Sequence, residues 1–294
     1  MTLQFDIIIP VSYSDSLFLR KSLPYIRKNI INAQNIFVIS CAQNETAIKE
    51  ITSQISRCYF VDEDMLLENL SFSIVDAAVK TKYPQGMRTG WYFQQFLKMG
   101  FAKSSYSQEY YLSWDADTIP INKLSFFDAE NHPLYVPKKE YNKPYFDTIR
   151  TLLGLEKWQN YSFIAEHMMF KSSVMRELLK DIEQSSNVGN SWIEKIINAT
   201  DYDSAKRPEM FSEFETYGTY VTSKYPDLYR IRHINSFREG GLIRGRFITD
   251  EILKKMMFDL DTVSFELADT PAFPWNIAHK LYKMYLVISE RKRK

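Results

Sequence analysis

Little in this 294-residue chain advertises charge. Its 37 lysines and arginines stand against 36 aspartates and glutamates, a formal charge of +1, so no global field favours a nucleic-acid partner and any basic patch is local. Cysteine is scarce. The two present, Cys41 and Cys58, supply neither a disulfide framework nor a zinc spacing, and each lies in an apolar run, which fits buried thiols in a reducing compartment. Long hydrophobic stretches are missing too. No segment approaches the ~18 apolar residues of a membrane span, and the opening MTLQFDIIIPVS lacks the basic and long apolar regions of a signal peptide. A cytoplasmic protein without a spanning helix is expected. There is no internal repeat, no low-complexity tract and no clear linker before about residue 255.

What is present is apolar and ordered. With 45% hydrophobic residues the chain can bury a sizeable core, as one large α/β domain or two small ones. FDIIIPV, NIFVIS and CYFVDED are continuous apolar, β-branched runs of the kind found in parallel strands covered on both faces. Between them, residues 15–29 and 46–55 have helical composition, and this alternation predicts a sheet with helices on both sides. Helices are predicted over 66–81 and 90–103. In the latter, Phe93, Phe96, Leu97, Gly100 and Phe101 recur at helical spacing and should face the core, with Gln95 and Lys98 on another side. Further on, 135–137 reads as a short strand, a helix should begin near Ser172, FSEFETYGTYVTSKYP opens on a cap-like serine and reads as helical, and YRIRHIN reads as a late strand. The economical division is a principal domain over 1–255 and a helical, basic C-terminal extension over 256–294.

One stretch carries chemistry. YYLSWDADTIPI, residues 110–121, is an apolar run that ends on two acids, Asp115 and Asp117, separated by a small Ala116. Aspartate favours turns and Pro120 soon interrupts regular structure, so a solvated turn would account for it. A paired-carboxylate site for a divalent cation would account for it as well, since hard oxygen ligands suit such ions.

Asp115-Ala116-Asp117, about a hundred residues after an N-terminal β–α–β unit, resembles the Asp-x-Asp layout of nucleotide-sugar-dependent glycosyltransferases of the GT-A type. RTGWYFQQFLKMGFA (88–102), FIAEHMMF (163–170) and FSEFETYG (211–218) extend the resemblance, over roughly residues 5–245, to a group of bacterial GT-A-like proteins associated with surface polysaccharide synthesis. The resemblance implies a GT-A-like, Rossmann-like, mostly parallel mixed sheet. It also implies Mn2+ or Mg2+ at Asp115 and Asp117 with a late histidine, His233, and a donor that is a nucleotide diphosphate sugar, of which a UDP sugar is the leading expectation. Pro10, Val11 and Ser12 fall where such folds cradle base and ribose, at the carboxyl end of a parallel strand, although an ordinary strand terminus reads the same way. Asp62 and Asp64 are candidates for nucleotide contacts or a solvated turn. Arg88, Gln95 and Lys98 could meet donor phosphate or sugar, and a polar helix face explains Gln95 and Lys98 equally well. Trp91 reads as packing.

Glu166 and His167 are candidates for the acceptor pocket, with a core role competing for the histidine. His132 and His279 receive no role. Glu213 and Glu215 are candidates for acceptor recognition or for the general base that an inverting transferase needs. Two residues apart, they do not share a helix face, so one of them, Glu213, is preferred.

The expected activity is therefore metal-dependent transfer of a hexose or acetamido-hexose to a hydroxyl of a glycan acceptor. A sugar nucleotidyltransferase shares the metal acids but usually carries a glycine-rich, basic phosphate loop, where this chain has PVSYSDSLFLR. A catalytically silent carbohydrate-binding or scaffold protein is the third reading. In the last twenty residues, WNIAHKLYKMYLVISERKRK, Ile277, Leu281, Met284, Tyr285 and Ile288 form an apolar stripe. Lys280, Lys283 and Arg291 to Lys294 add positive charge. The pattern fits either a helix lying on an anionic membrane with a lipid-linked glycan acceptor, or a terminal helix packed on its own domain.

Overall fold

The computed structural model describes residues 3–85, 87–205 and 207–291. In chain order the elements are β1 (Phe5–Pro10), α1 (Tyr13–Ser16), α2 (Leu19–Asn29), β2 (Ala33–Ser40), α3 (Glu45–Thr52), β3 (Cys58–Asp62), α4 (Phe72–Lys82), α5 (Thr89–Gly100) and β4 (Tyr110–Trp114). There follow β5 (Thr118–Pro120), β6 (Leu134–Tyr135), α6 (Lys143–Leu153), β7 (His167–Lys171), α7 (Ser172–Gln184), α8 (Trp192–Ala199), α9 (Tyr202–Ala205) and α10 (Glu213–Lys224). The chain closes with β8 (Arg230–Ile231), β9 (Ser236–Phe237), α11 (Gly241–Arg244), α12 (Asp250–Met256), β10 (Thr262–Ser264) and α13 (Trp275–Arg291). This is an α/β protein with mixed, mostly parallel sheet.

Two compact units divide the chain. The first comprises Met1–Phe60, Trp114–Phe126 and His233–Lys294, and the second Val61–Ser113 and Phe127–Arg232. Segment 256–294 thus falls within the first unit.

In the first unit the strand order is β3-β2-β1, and β1 pairs parallel with β2 in the register Ile7 to Ile36, Ile8 to Phe37 and Ile9 to Val38. Every residue of β1 is buried, as expected of a parallel strand covered on both faces. Pro10 has no N–H to give, and it stands at the last position of the strand, where the ladder ends. The predicted helix over 15–29 is observed as the single turn α1 followed by α2, whose Leu19, Leu23 and Ile26 face inward. Burying such a side chain is worth about 1.5–3 kcal/mol. A smaller sheet of order β5-β10-β9 closes over a cluster of Phe18, Ile119, Ile121, Ile248, Leu253, Val263 and Phe265.

In the second unit β4 lies beside β7. Serine caps fix three of its helix starts: Ser71 accepts from Ile74 N–H at α4, Ser191 from Glu194 N–H at α8, and Ser212 from Glu215 N–H at α10. Ser71 explains why the first of these helices begins at Phe72 rather than near residue 66. On α5, Phe93, Phe96, Leu97 and Gly100, with Phe101 just past its end, are buried as predicted, but so are Gln95 and Lys98, which the spacing places on another side. Gly218 on α10 lies against the ring of Phe163, and a Cβ there would come within 2.3 Å of it. Only glycine allows that approach. Among the described residues no helix is long and apolar enough to cross a membrane.

Candidate functional site

The acids of YYLSWDAD stand on a tightly held turn in the first unit. Strand β4 ends at Trp114, whose indole N–H donates to the Thr118 carbonyl at 2.9 Å. The Thr118 N–H returns to the Asp115 carbonyl at 3.1 Å, and the Phe265 N–H donates to the Asp117 carbonyl at 2.9 Å. Thr118 Oγ1 lies 2.7 Å from Ser264 Oγ on β10. The backbone of the Asp-x-Asp segment is therefore anchored on both sides, and the small Ala116 between the acids is buried.

Asp117 is 23% exposed at its side chain. Burial, together with Asp115 and Asp15 and against the pull of Arg246, pushes its carboxyl up to about 7, and Glu266 adds to the rise. Arg246 is the counter-charge. Its side chain is 3% exposed, and its Nη2 donates to Asp15 Oδ1 and stands 4.0 Å from Asp117 Oδ2. Nη1 donates to the Ser14 carbonyl at 2.8 Å, Nε to the Phe265 carbonyl at 3.2 Å, and the guanidinium lies over the Phe18 ring. Burial alone would lower the Arg246 pKa, but Asp15 and Asp117 outweigh it and hold the group charged. Asp15 Oδ2 in turn accepts from Ser12 Oγ at 2.8 Å. Arg246 follows Gly245, which has φ +59 and would place a Cβ 2.8 Å from His279 Nδ1. Glycine is required at that corner, and it turns the arginine inward.

Four carboxylates, Asp15, Asp115, Asp117 and Glu266, thus share electrostatic influence at Asp117 with one buried guanidinium. Hard oxygen donors with excess negative charge are the chemistry that a divalent cation satisfies. On the same unit, Pro10 ends β1, Val11 N–H donates to the Ile39 carbonyl, and Ser40 Oγ donates to the Val11 carbonyl. His233 is exposed between β8 and β9. Among the described residues three ligand atoms gather within 4.8 Å at Asp128, Glu130 and His132. None of Asp115, Asp117 and His233 belongs to that group. The Asp128 carboxylate there already accepts from the Glu130 and His132 backbone N–H groups and lies 3.0 Å from His132 Nδ1.

The other sequence-predicted residues belong to the second unit, where many are engaged in buried polar pairs. Lys98 Nζ meets Glu213 Oε1 at 2.9 Å with both side chains buried, and lies over the Phe214 ring. The Gln95 side-chain oxygen accepts from Glu213 N–H at 3.1 Å. Glu215 accepts from Ser162 Oγ, from Phe163 N–H at 3.1 Å and from Lys157 Nζ at 3.2 Å. Burial nevertheless keeps its pKa raised. Glu166 is buried with Lys138 Nζ at 3.5 Å. His167 is held well below its ordinary value by burial, then by Arg232 and Lys138. It is neutral. Arg88, largely exposed, pairs with Glu209 at 2.5 Å, and Asp62 caps its own turn by accepting from Asp64 N–H at 3.1 Å. Trp91 packs edge-on against Tyr92.

Asp15, Glu266 and Arg246 are the three residues of the acid cluster that the sequence reading did not single out, and of these Arg246 holds Asp15. Their partnership spans 231 positions, and no local pattern signals it.

No protein-family model matches the chain, and a search of curated proteins finds no match. Among solved structures, the chain is similar to mouse xyloside xylosyltransferase 1 at 11% identity, covering 89% of this chain and 97% of that one with a TM-score of 0.46. It is similar to the galactosyltransferase LgtC at 10% identity, covering 99% and 100% with a TM-score of 0.46. Similarity to the bifunctional glycosyltransferase WbbM is at 11% identity, covering 96% of this chain and 52% of that one, with a TM-score of 0.46.

Proposed function

We propose that the chain is a GT-A-type, metal-dependent glycosyltransferase. It moves a hexose or acetamido-hexose from a nucleotide diphosphate sugar, UDP-linked, to a hydroxyl of a glycan acceptor in bacterial surface polysaccharide synthesis. The observation that carries the reading is the pair Asp115 and Asp117, presented on an anchored turn at the end of β4 within a cluster of acids that holds a single buried arginine.

In this reading Asp115 and Asp117 hold Mn2+ or Mg2+, with His233 as a further ligand. The bound ion would neutralise charge on the departing diphosphate. Arg246 keeps Asp15 and Asp117 oriented, and Pro10, Val11 and Ser12 form the wall for base and ribose. Glu213 takes the proton of the acceptor hydroxyl, and Lys98 holds its carboxylate in place. Glu215, with its oxygens engaged by Ser162, Phe163 and Lys157, positions the same helix. Glu166 and His167 line the acceptor side.

The reading places the protein in the cytoplasm, peripheral on an anionic membrane that carries a lipid-linked acceptor. Ile277, Leu281, Met284, Tyr285 and Ile288 of α13 are all more than half exposed, while Leu286 is buried. Lys280 and Lys283 are exposed on the same helix, and each basic residue near an anionic surface adds about 1 kcal/mol. Arg291 to Lys294, part of the predicted basic end, lie outside the residues whose side chains are described.

The test is release of nucleoside diphosphate from a panel of nucleotide sugars, with and without an acceptor and with and without chelator. Turnover of one donor that chelator abolishes supports the reading. Turnover that survives chelator, or none with any donor, sinks it.

A further inference from the structure

A second concave site lies in the second unit, at the start of α6 and the loop that follows it. The cavity measures about 280 Å³ and is lined among others by Tyr141, Phe146, Asp147, Arg150, Gln159 and Asn160. None of these has a part in the reaction proposed above.

Three features define what it could take. First, Tyr141 is 70% exposed, yet its ring is stacked on Phe146 at 5.1 Å and 26°. An aromatic ring fixed from behind and open in front is a flat apolar platform, of the kind that packs against the C–H face of a pyranose. Second, the lining carries charge of both signs, and most of it is already paired. Asp147 receives Lys143 at 2.6 Å and Arg150 at 2.6 Å, Arg150 also reaches Glu156 at 3.4 Å, and Lys157 is committed to Glu215. Paired charges of both signs create little net field for a phosphate or a carboxylate, but their remaining lone pairs and N–H groups are fixed hydrogen-bonding points for hydroxyls. Third, Gln159 is 6% exposed and its amide nitrogen donates to Thr222, while its Oε1 is buried without a hydrogen-bond partner. A buried acceptor left unmatched is costly, and a hydroxyl donor from a ligand would satisfy it. The volume falls just below the ~300–1,000 Å³ of ligand pockets and suits one sugar residue rather than a nucleotide.

We propose that this cavity binds one residue of a neutral saccharide, stacked on Tyr141 and hydrogen-bonded by Asp147, Arg150, Asn160 and Gln159. Its assignment to a distal residue of the acceptor glycan rests on the transferase reading; the binding does not. A subsite of this kind would favour long acceptors over short ones without contributing to the chemistry.

The experiment is calorimetric titration of the full chain with maltohexaose, chitohexaose and a galactan-derived hexasaccharide, each in the wild type, Tyr141→Phe and Tyr141→Ala. Tyr141 is exposed, so both variants should keep the fold, which far-ultraviolet circular dichroism checks. The expected result is saturable binding of at least one hexasaccharide, kept in Tyr141→Phe and weakened at least tenfold in Tyr141→Ala. Absence of saturable binding to all three, or equal affinity in wild type and Tyr141→Ala, overturns the proposal. Donor turnover is read separately in the same preparations. If it is missing from the wild type, the transferase reading fails while the saccharide site still stands or falls by the titration.

Discussion

Arg246 reaches across 231 positions to donate to the Asp15 carboxylate, and the same Nη2 stands 4.0 Å from Asp117. The guanidinium is nearly inaccessible to water, so its charge is sustained by these acids and by two backbone carbonyls. Removing it should leave Asp15 and Asp117 facing each other without a counter-charge. Arg246→Met is expected to lower stability by roughly 3–5 kcal/mol, the cost of breaking a buried pair from one side, as read by urea unfolding. The double variant Arg246→Met with Asp15→Asn should recover part of that loss. Strictly additive losses would show that the two residues do not act as a pair.

Much of the first unit is readable from the sequence. The runs FDIIIPV and NIFVIS become β1 and β2 because strands covered on both faces need apolar side chains at most positions, with Asp6 and Ser40 as buried polar exceptions, and the two acids stand where the apolar run of β4 stops. Other features resist such reading for stated reasons. Gln95 and Lys98 look like a solvated face, because helical periodicity sorts residues by polarity. Both are instead buried on Glu213, a partner more than a hundred positions away. Strand β10 is three residues long and is defined by its pairing with β5 and β9, which no local propensity reports. The composition of the two units from separated segments is likewise a product of long-range contacts alone.

Glu213 supplies a second prediction. If it is the general base, Glu213→Gln should lower the turnover rate by roughly 10²–10⁴ while donor affinity changes little. Because the substitution also leaves Lys98 buried beside a neutral amide, the urea midpoint should fall as well, and pairing it with Lys98→Met should restore the midpoint but not the rate. A loss confined to donor affinity would remove the catalytic assignment, and an equal rate loss at Glu215→Gln alone would transfer it.

Asp6 offers a test by pH. It is fully buried on β1, with Asn35 donating to it through N–H at 3.0 Å and Nδ2 at 2.8 Å, and burial raises its pKa in spite of those bonds. A carboxyl whose folded value exceeds its unfolded one favours the native state while protonated. That contribution is complete below the unfolded value near ~3.9 and is lost as pH rises through the folded value. Asp6→Asn lacks this dependence. The stability of the variant relative to wild type, measured by urea unfolding from pH 4 upward, should therefore increase with pH and then level off. A difference that stays constant with pH would contradict the assigned shift.

The exposed face of α13 gives a fourth. Vesicles rich in anionic lipid should co-sediment the wild type at low salt and less of it at high salt, and Leu281→Glu with Ile288→Glu should abolish binding. Both side chains are more than half exposed, so the fold should be unaffected. Unchanged binding in the double variant, or none in the wild type, would separate α13 from any membrane role.

If Asp115 and Asp117 bring a divalent cation and a nucleotide diphosphate together, Mn2+ must change the affinity for uridine diphosphate, which calorimetric titration with and without the ion measures. Asp117→Asn keeps the volume of the side chain and removes its charge, so it is the matched control. Mn2+ is expected to tighten uridine diphosphate binding to the wild type at least tenfold, about 1.4 kcal/mol, and to leave binding to Asp117→Asn unchanged. Equal affinity of the wild type with and without the ion, or the same gain in Asp117→Asn, would contradict it.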